Sequence, residues 1–491
     1  MKNKTMNRGN LKPVFPDPGV SVELVVALSV FAALTGFGVL SDAFAAPSPS
    51  RPIPLVTQTI QIRGAPGTAS CGGGYDPGVG LVDLDHGFAA GATTYDHGGF
   101  IWCETYAPYL WSQQNRTSTL FQLEGDYSWE DSTYFPSGIT PDGSTVVGGV
   151  IFFDRGTTAP WMWRADVGSV ELLVLPNGYT GGNAVSVSTN GRVIAGNLRG
   201  PGRTGVNQAA AWHDGSPQIL PSTYPWSAVG SNPFEAGMAY TARRTHPMSD
   251  DGSVIVGAAG GQFLAGCKAT KWVNGVGQQL SSAGIQAQSS VAVFVADNGV
   301  IFGYAVLTDG RVVLMRWDSN GNPQMFQPPN GLSVVNLSSI DSNGNAAGGA
   351  LAQQFSCPSC TDAACKRIPF MWSLTSGFTI LPQNGSDAYN TSAVEDVSDG
   401  GGIAIGQLST CVVGPDSPPQ LAFVWRADSG MVFVNKLMAV FGQPNPDYYG
   451  ATDVSRDGSR ILAVGNPPLI VAQDTPDVTL YLAWPTPSPT P

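Results

Sequence analysis

One short phrase recurs eight times along this chain of 491 residues. It reads apolar-x-Ser-x-Asp/Asn-Gly, runs on into a β-branched or apolar stretch ending in Gly, and is followed by an apolar triplet ending in Trp. The turn glycines are Gly87, Gly143, Gly191, Gly252, Gly299, Gly344, Gly401 and Gly458. The matching tryptophans are Trp111, Trp163, Trp212, Trp272, Trp317, Trp372, Trp425 and Trp484. Successive turn glycines lie 45 to 61 residues apart. A repeat of that length made of short strands is the signature of a propeller or solenoid. It overrides the several domains that length alone would suggest.

The repeat around Gly191 shows how one unit is built. Ala184 to Ser188 alternates and ends in Thr189-Asn190-Gly191, where Asn-Gly suits the positive φ of a type I′ hairpin. Arg192 to Gly196 is the return strand, Ala209 to Trp212 a third, and Pro217 to Leu220 a fourth, reached through His213-Asp214-Gly215-Ser216. Four antiparallel strands joined by short turns make a propeller blade. A lone blade cannot bury both faces, so neighbours must stack. Small residues before each Trp let sheets approach, and each indole is worth about 2–3 kcal/mol if buried. The fold class is therefore all-β, a β-propeller of four-stranded antiparallel blades. Eight blades are expected, or seven if the degenerate first repeat (Leu81 to Leu123) forms no true blade.

The two ends of the array complement each other. The last repeat has three strands (Thr452 to Ser455, Arg460 to Val464, Thr479 to Trp484) and then stops. Pro54 to Ile62 reads as a strand that precedes the first repeat and belongs to none. It is expected to complete the last blade and latch the ring, covering two strand edges. The propeller thus spans residues 54–484, with a Pro/Ser-rich linker at 46–53 and a Pro/Thr-rich tail at 485–491.

Lys2, Lys4, Arg8 and Lys12 precede a mostly apolar run from Val20 to Leu40, and Ala43-Phe44-Ala45 offers a small-x-small cleavage site. This is the pattern of a signal peptide over residues 1–45, with Ala46 as the first mature residue. An uncleaved anchor is the alternative, since the run is long enough to span a bilayer. No later segment is, so no membrane span is expected in the mature chain. The expected location is outside the cell or at its surface, with the periplasm as the alternative. A net charge of −12 without a Lys/Arg cluster disfavours nucleic acid and anionic membranes.

Seven cysteines in an exported chain point to disulfides with one thiol left over. The disulfide candidates are Cys71, Cys103, Cys357, Cys360, Cys365 and Cys411. The Cys357-x2-Cys360-x4-Cys365 cluster lacks a nearby His as a fourth zinc ligand, which favours disulfides over metal. One carboxylate per Asp-Gly turn is too few for calcium. No metal and no other cofactor is expected.

With the repeat written out, the chain resembles the extracellular HAF-repeat proteins of Gram-negative bacteria. The matching phrases are Ile139-Thr-Pro-Asp-Gly-Ser-Thr-Val-Val-Gly148, Met248-Ser-Asp-Asp-Gly-Ser-Val-Ile-Val-Gly257, Val397-Ser-Asp-Gly and Ala422-Phe-Val-Trp-Arg-Ala-Asp-Ser-Gly-Met431. The Leu-Pro pairs Leu175-Pro176, Leu220-Pro221 and Leu381-Pro382 also fit. The resemblance covers most of the chain beyond residue 46. It implies an exported propeller-like array and brings no catalytic residues with it.

None of the histidines His86, His97, His213 and His246 has a Ser or Cys nucleophile beside it in a recognisable pattern. The informative variation is in segment length. Long segments run from Tyr127 to Phe135, Tyr224 to Arg244, Gln353 to Arg367, Leu408 to Pro419 and Gln443 to Tyr449. They are expected on the face shared by the connections between second and third strands and the crossings between blades. Tyr127, Trp129, Tyr134, Tyr224, Trp226 and Tyr240 are the ligand-binding candidates there, because aromatic rings among polar neighbours suit sugar or protein contacts. The expectation is a monomeric, non-catalytic module that binds a carbohydrate or a surface protein. The alternative is a polysaccharide hydrolase or lyase with an acid/base pair on the same face.

Overall fold

The computed structural model describes residues 56–61, 81–83, 88–95, 105–112, 117–123, 132–152, 156–200, 207–222, 226–230, 247–260, 266–282, 284–354, 366–383, 389–410, 420–436, 447–458, 460–466 and 478–483. The strands form six four-stranded antiparallel sheets and one sheet of nine strands. A representative sheet comprises Gly181–Val187, Val193–Arg199, Asn207–His213 and Ser216–Ile219, paired in chain order. The third strand of each such sheet lies against the first strand of the next, so the sheets stack as propeller blades. At the end of the array, Asp447–Val454 lies against Leu81–Asp83, which brings the last sheet back to the first.

The latch forms as the sequence suggests. Val56–Gln61 pairs antiparallel with Val478–Ala483, in register from Val56 opposite Ala483 to Gln61 opposite Val478. It supplies the outer strand of the sheet built from Asp447–Val454, Arg460–Asn466 and Val478–Ala483.

The nine-stranded sheet carries both the Gly87 and the Gly143 repeats. The fourth strand of the first repeat is split. Thr117–Leu120 pairs with Thr105–Ser112, while Gln122–Leu123 crosses over to pair in parallel with Ser169–Leu172 of the next repeat. Phe121 sits between the two pieces and stacks on Trp163, with ring centroids 4.3 Å apart at 12°. Burying that ring pins the crossover, while the two repeats join into one sheet where Tyr106 of Thr105–Ser112 pairs in parallel with Thr133 of Ser132–Ile139.

The recurring phrase now has a physical account. In the Gly191 repeat, the Gly191 N–H donates to the Ser188 carbonyl (2.8 Å). The Ser188 hydroxyl donates to Asn190 Oδ1 (2.8 Å) and accepts from the Val193 N–H (2.9 Å). The Arg192 N–H donates to the same Asn190 oxygen (3.0 Å). The Ser249–Val254 and Thr140–Thr145 turns repeat this pattern. The type I′ expectation at Asn190-Gly191 is corrected, because only Gly191 of the pair has positive φ. The turn is a four-residue one closed by a left-handed Gly. Type I′ geometry occurs instead at the outer hairpins, where Asp214 and Gly215, and Asn274 and Gly275, all have positive φ.

The turn glycine also makes the contact between blades. A Cβ on Gly252 would lie 2.7 Å from Val193 Cβ, and one on Gly458 would lie 2.6 Å from Ile403 Cδ1. Both neighbours open the second strand of the preceding repeat. Glycine is therefore required twice, for its backbone conformation and for its lack of a side chain.

The tryptophans occupy the blade interfaces. Trp212, Trp272, Trp317 and Trp372 are at most 1% exposed. The indole N–H groups of the first three donate to carbonyls just past the preceding blade's fourth strand: Val174 (2.8 Å), Pro221 (2.8 Å) and Ser281 (2.7 Å). Trp425 departs from the pattern and is only half-buried.

Six of the inner strands also carry a feature the sequence phrase does not reveal. The pairing of first with second strand slips by one residue at Ser137, Val185, Val293, Ser338, Glu395 and Thr452, the same place in each repeat. A β-bulge there bends the innermost strand and raises its twist. In Leu337-Ser-Ser-Ile340, Val394-Glu-Asp-Val397 and Ala451-Thr-Asp-Val454 two polar residues stand in a row at the slip, which breaks the period of two.

Candidate functional site

The two ends of the ring are unlike. Turns joining first to second strands occupy residues 140–144, 188–192, 296–300, 341–345, 398–402 and 455–459, five residues each. Connections from second to third strands occupy 153–156, 200–206, 261–266, 308–311, 353–367, 409–420 and 467–477, from four residues to fifteen. Antiparallel pairing puts these connections at the end opposite the turns, together with the crossings between blades. In these six repeats one end is uniform and held by its own hydrogen bonds. The other varies from repeat to repeat, which is where loops on a rigid scaffold carry recognition.

The uniform end is chemically committed. The Asp251 carboxyl is held below the usual carboxylate range by the Ser253 N–H and the Ser249 hydroxyl. Such a group is a poor general acid near neutrality. Its effect on stability has a definite sign. A depressed folded-state pKa stabilises above the unfolded value of about 3.9, and that contribution is lost as pH falls through the folded value. Asp251→Asn should therefore flatten the acid side of the stability profile below about pH 4 while leaving neutral stability nearly unchanged. Denaturant midpoints from pH 2 to pH 7 check this. An unchanged acid limb would show that the turn carboxyl is not linked to folding.

At the variable end, described side chains bind mostly to backbone across repeats. Asn197 Oδ1 accepts from the Val229 N–H (2.7 Å) of the following repeat. Lys268 Nζ donates to the Gln288 carbonyl (3.4 Å), and Gln288 Nε2 to the Thr308 carbonyl (3.3 Å). Tyr179, in the crossing before Gly181–Val187, donates its phenol to Gln208 Oε1. Burial raises its pKa and that of Tyr389. Neither tyrosine stands out in the sequence. Tyr179 lies seven residues past the fourth strand Ser169–Leu172 and Tyr389 nine past Gly377–Ile380, and that place in the crossing was the available signal.

The sequence-chosen aromatics divide. Tyr134 is corrected from a contact residue to a core residue. It is fully buried on Ser132–Ile139, with its ring 6.0 Å from that of Trp161 at 62°. Strand alternation turns it inward, and the large area of the Trp161 pocket holds it. Trp226 is corrected from a loop to a strand position, since it pairs with Gly260 on Trp226–Val229. Tyr127, Trp129, Tyr224 and Tyr240 lie outside the described residues.

The long segment of the Gly252 repeat is also relocated. The segment falls in the chain between Val229 and Pro247, ahead of the second strand and not between second and third strands. Val229 pairs with Gly257 on one side of the insertion and Met248 with Ile255 on the other. Gly230 and Pro247 are in such close approach that a Cβ on Gly230 would meet Pro247 Cβ at 2.4 Å. The chain thus leaves and rejoins at one point, the place where other repeats carry their bulge.

Cys71, Cys103, Cys357, Cys360, Cys365 and Cys411 lie outside the described residues, as do His86, His97 and His246. Cys267 is a free, fully buried thiol whose pKa is pushed up by burial. His213 is exposed at an outer hairpin. Among the described residues no group of three His, Cys, Asp or Glu is placed to hold a metal. No helix among them is long and apolar enough to cross a membrane.

No family model and no curated protein matches the chain. Among solved structures it is similar to the β-propeller domain of the trilobed protease from Pyrococcus furiosus, at 11% identity and a TM-score of 0.43, over 70% of this chain and 91% of that one. It is similar to TolB from Acinetobacter baumannii at 14% identity and a TM-score of 0.32, over 60% of this chain and 62% of that one. It is also similar to a prolyl endopeptidase at 10% identity and a TM-score of 0.47, over 78% of this chain. The match spans 53% of that endopeptidase's own length. At these values the likenesses carry no argument about activity.

Proposed function

We propose that this chain is an exported β-propeller of the HAF-repeat kind, acting outside the cell or at its surface as a binding module for a carbohydrate or a surface protein. The nine-stranded sheet is read as two merged blades, giving eight. The observation that carries the proposal is the contrast between the ends of the ring. Five-residue turns recur at one end, while connections at the other run from four residues to fifteen. A scaffold that holds one end constant and varies the other is built to present a surface. The Ser and Asp side chains of the repeated turns support binding over catalysis, because they are engaged in holding those turns.

The test is a binding screen on the chain from Ala46, oxidised, against immobilised glycans and cell-surface extracts, with substrate cleavage followed in the same samples. Saturable binding without turnover is expected. Replacing residues 353–367 with a four-residue Gly/Ser link, or Trp129 with Ala, should weaken it about tenfold or more, the scale of an aromatic contact at a binding hot spot. Turnover of any polysaccharide would replace the binding reading with a hydrolase or lyase.

A further inference from the structure

The repeated turns bond to one another as well as to themselves. At the turn end, the Asp297 N–H of the Gly299 repeat donates to the Ser342 carbonyl of the Gly344 repeat (3.0 Å). The Ser342 N–H donates to Asp399 Oδ1 of the Gly401 repeat (3.0 Å). The Asp399 N–H donates to the Arg456 carbonyl of the Gly458 repeat (2.9 Å). Two further links reinforce the series. Asn298 Nδ2 donates to the Asn343 carbonyl (2.8 Å), and the Gly400 N–H to Asp341 Oδ2 (3.0 Å).

The last link closes the series on itself. Arg456 Nη1 donates to Asp297 Oδ2 at 2.8 Å, joining residues 159 positions apart. It passes over the two intervening repeats and returns from the last repeat to the fifth. A direct bond between the fifth and last repeats draws these four turns together at the mouth of the ring. Both side chains of the pair are 42% exposed, so the bond is open to solvent ions. A single exposed ion pair is worth about 0–1 kcal/mol and is screened by salt. Here it completes a cycle whose other members are two backbone bonds and the bond from the Ser342 N–H to the Asp399 carboxylate.

We propose that the turns of the last four repeats form a closed cap over one mouth of the ring, locked by the Arg456–Asp297 ion pair, so that these four turns open together. A ligand held at the centre of the ring would then enter from the variable end. The cap itself does not depend on the binding reading, and its test uses no ligand.

The test is amide hydrogen exchange on the full chain from Ala46, resolved to the turn peptides, in about 20 mM and about 500 mM salt. Arg456→Ala should speed exchange at Ser342 and Asp399 together, about two- to fivefold in low salt and less in high salt. Exchange at Thr189, bonded to the Asp250 carbonyl in the third and fourth repeats, should stay unchanged. The swapped pair Asp297→Arg with Arg456→Asp should restore slow exchange. Unchanged rates at Ser342 and Asp399, acceleration at Asp399 alone, equal acceleration at Thr189, or failure of the swap would each overturn the cap.

Discussion

Trp317→Ala is expected to lower the unfolding free energy by about 3–5 kcal/mol, the range for removing a fully buried aromatic side chain. Trp317 is fully buried among Leu280, Val295, Ile301 and Met315, at the interface of two blades. Its indole N–H also donates to the Ser281 carbonyl of the preceding blade. The substitution removes apolar contact and a bond between blades together. Trp425→Ala supplies the control, because its side chain is only half-buried at the same repeat position. It should cost about 1–2 kcal/mol, in proportion to the smaller area removed from water. Urea midpoints on both variants decide the matter. Equal losses would show that the repeated Trp acts through strand propensity and not through burial.

Removing the N-terminal strand is expected to have an effect of similar or larger size. Six residues, Val56–Gln61, pair along the full length of Val478–Ala483. An antiparallel ladder of that length holds about six N–H···O bonds, each worth about 1 kcal/mol net, or roughly 6 kcal/mol in all. The deletion also leaves a long bare edge, which invites pairing with other copies. A chain beginning at residue 63 should therefore melt earlier and aggregate. A peptide of residues 54–62 added in trans should restore part of the lost melting temperature. If the shortened chain melts like the full one, the strand is decoration and the ring is held by blade stacking alone.

Much of this architecture was legible because the constraint repeats. Gly191 and Gly252 each need positive φ and a bare Cα at a blade contact, so the same residue is written at every turn. The Trp position could be read for the same reason. The latch was legible from strand arithmetic, since three strands at one end and a stray strand at the other make one sheet. The turn type at Asn190 was misread because Asn-Gly favours type I′ only when the two strands are joined by two residues. Here the Ser188 side chain closes a longer turn.

The candidate site was less legible. Exposure is a property of where a strand faces, and Tyr134 on Ser132–Ile139 shows how alternation decides it. The segment from Tyr224 to Arg244 looked like one loop because its composition is uniform. Pairing on either side of it, Val229 with Gly257 and Met248 with Ile255, places the insertion ahead of the second strand.

The sequence by itself determined the all-β class, the repeat boundaries, the turn glycines, the interface tryptophans and the strand that closes the last sheet. Each follows from a local rule: backbone conformation, side-chain volume or the count of strands. Only the tertiary structure decided the joining of the first two repeats through Tyr106 and Thr133, the crossover of Gln122–Leu123, and the cycle of turns closed by Arg456 and Asp297. These depend on which backbones meet after the ring has formed. Contacts across 159 residues leave no trace in local pattern, because the partners are chosen by the stacking of blades and not by their neighbours in the chain.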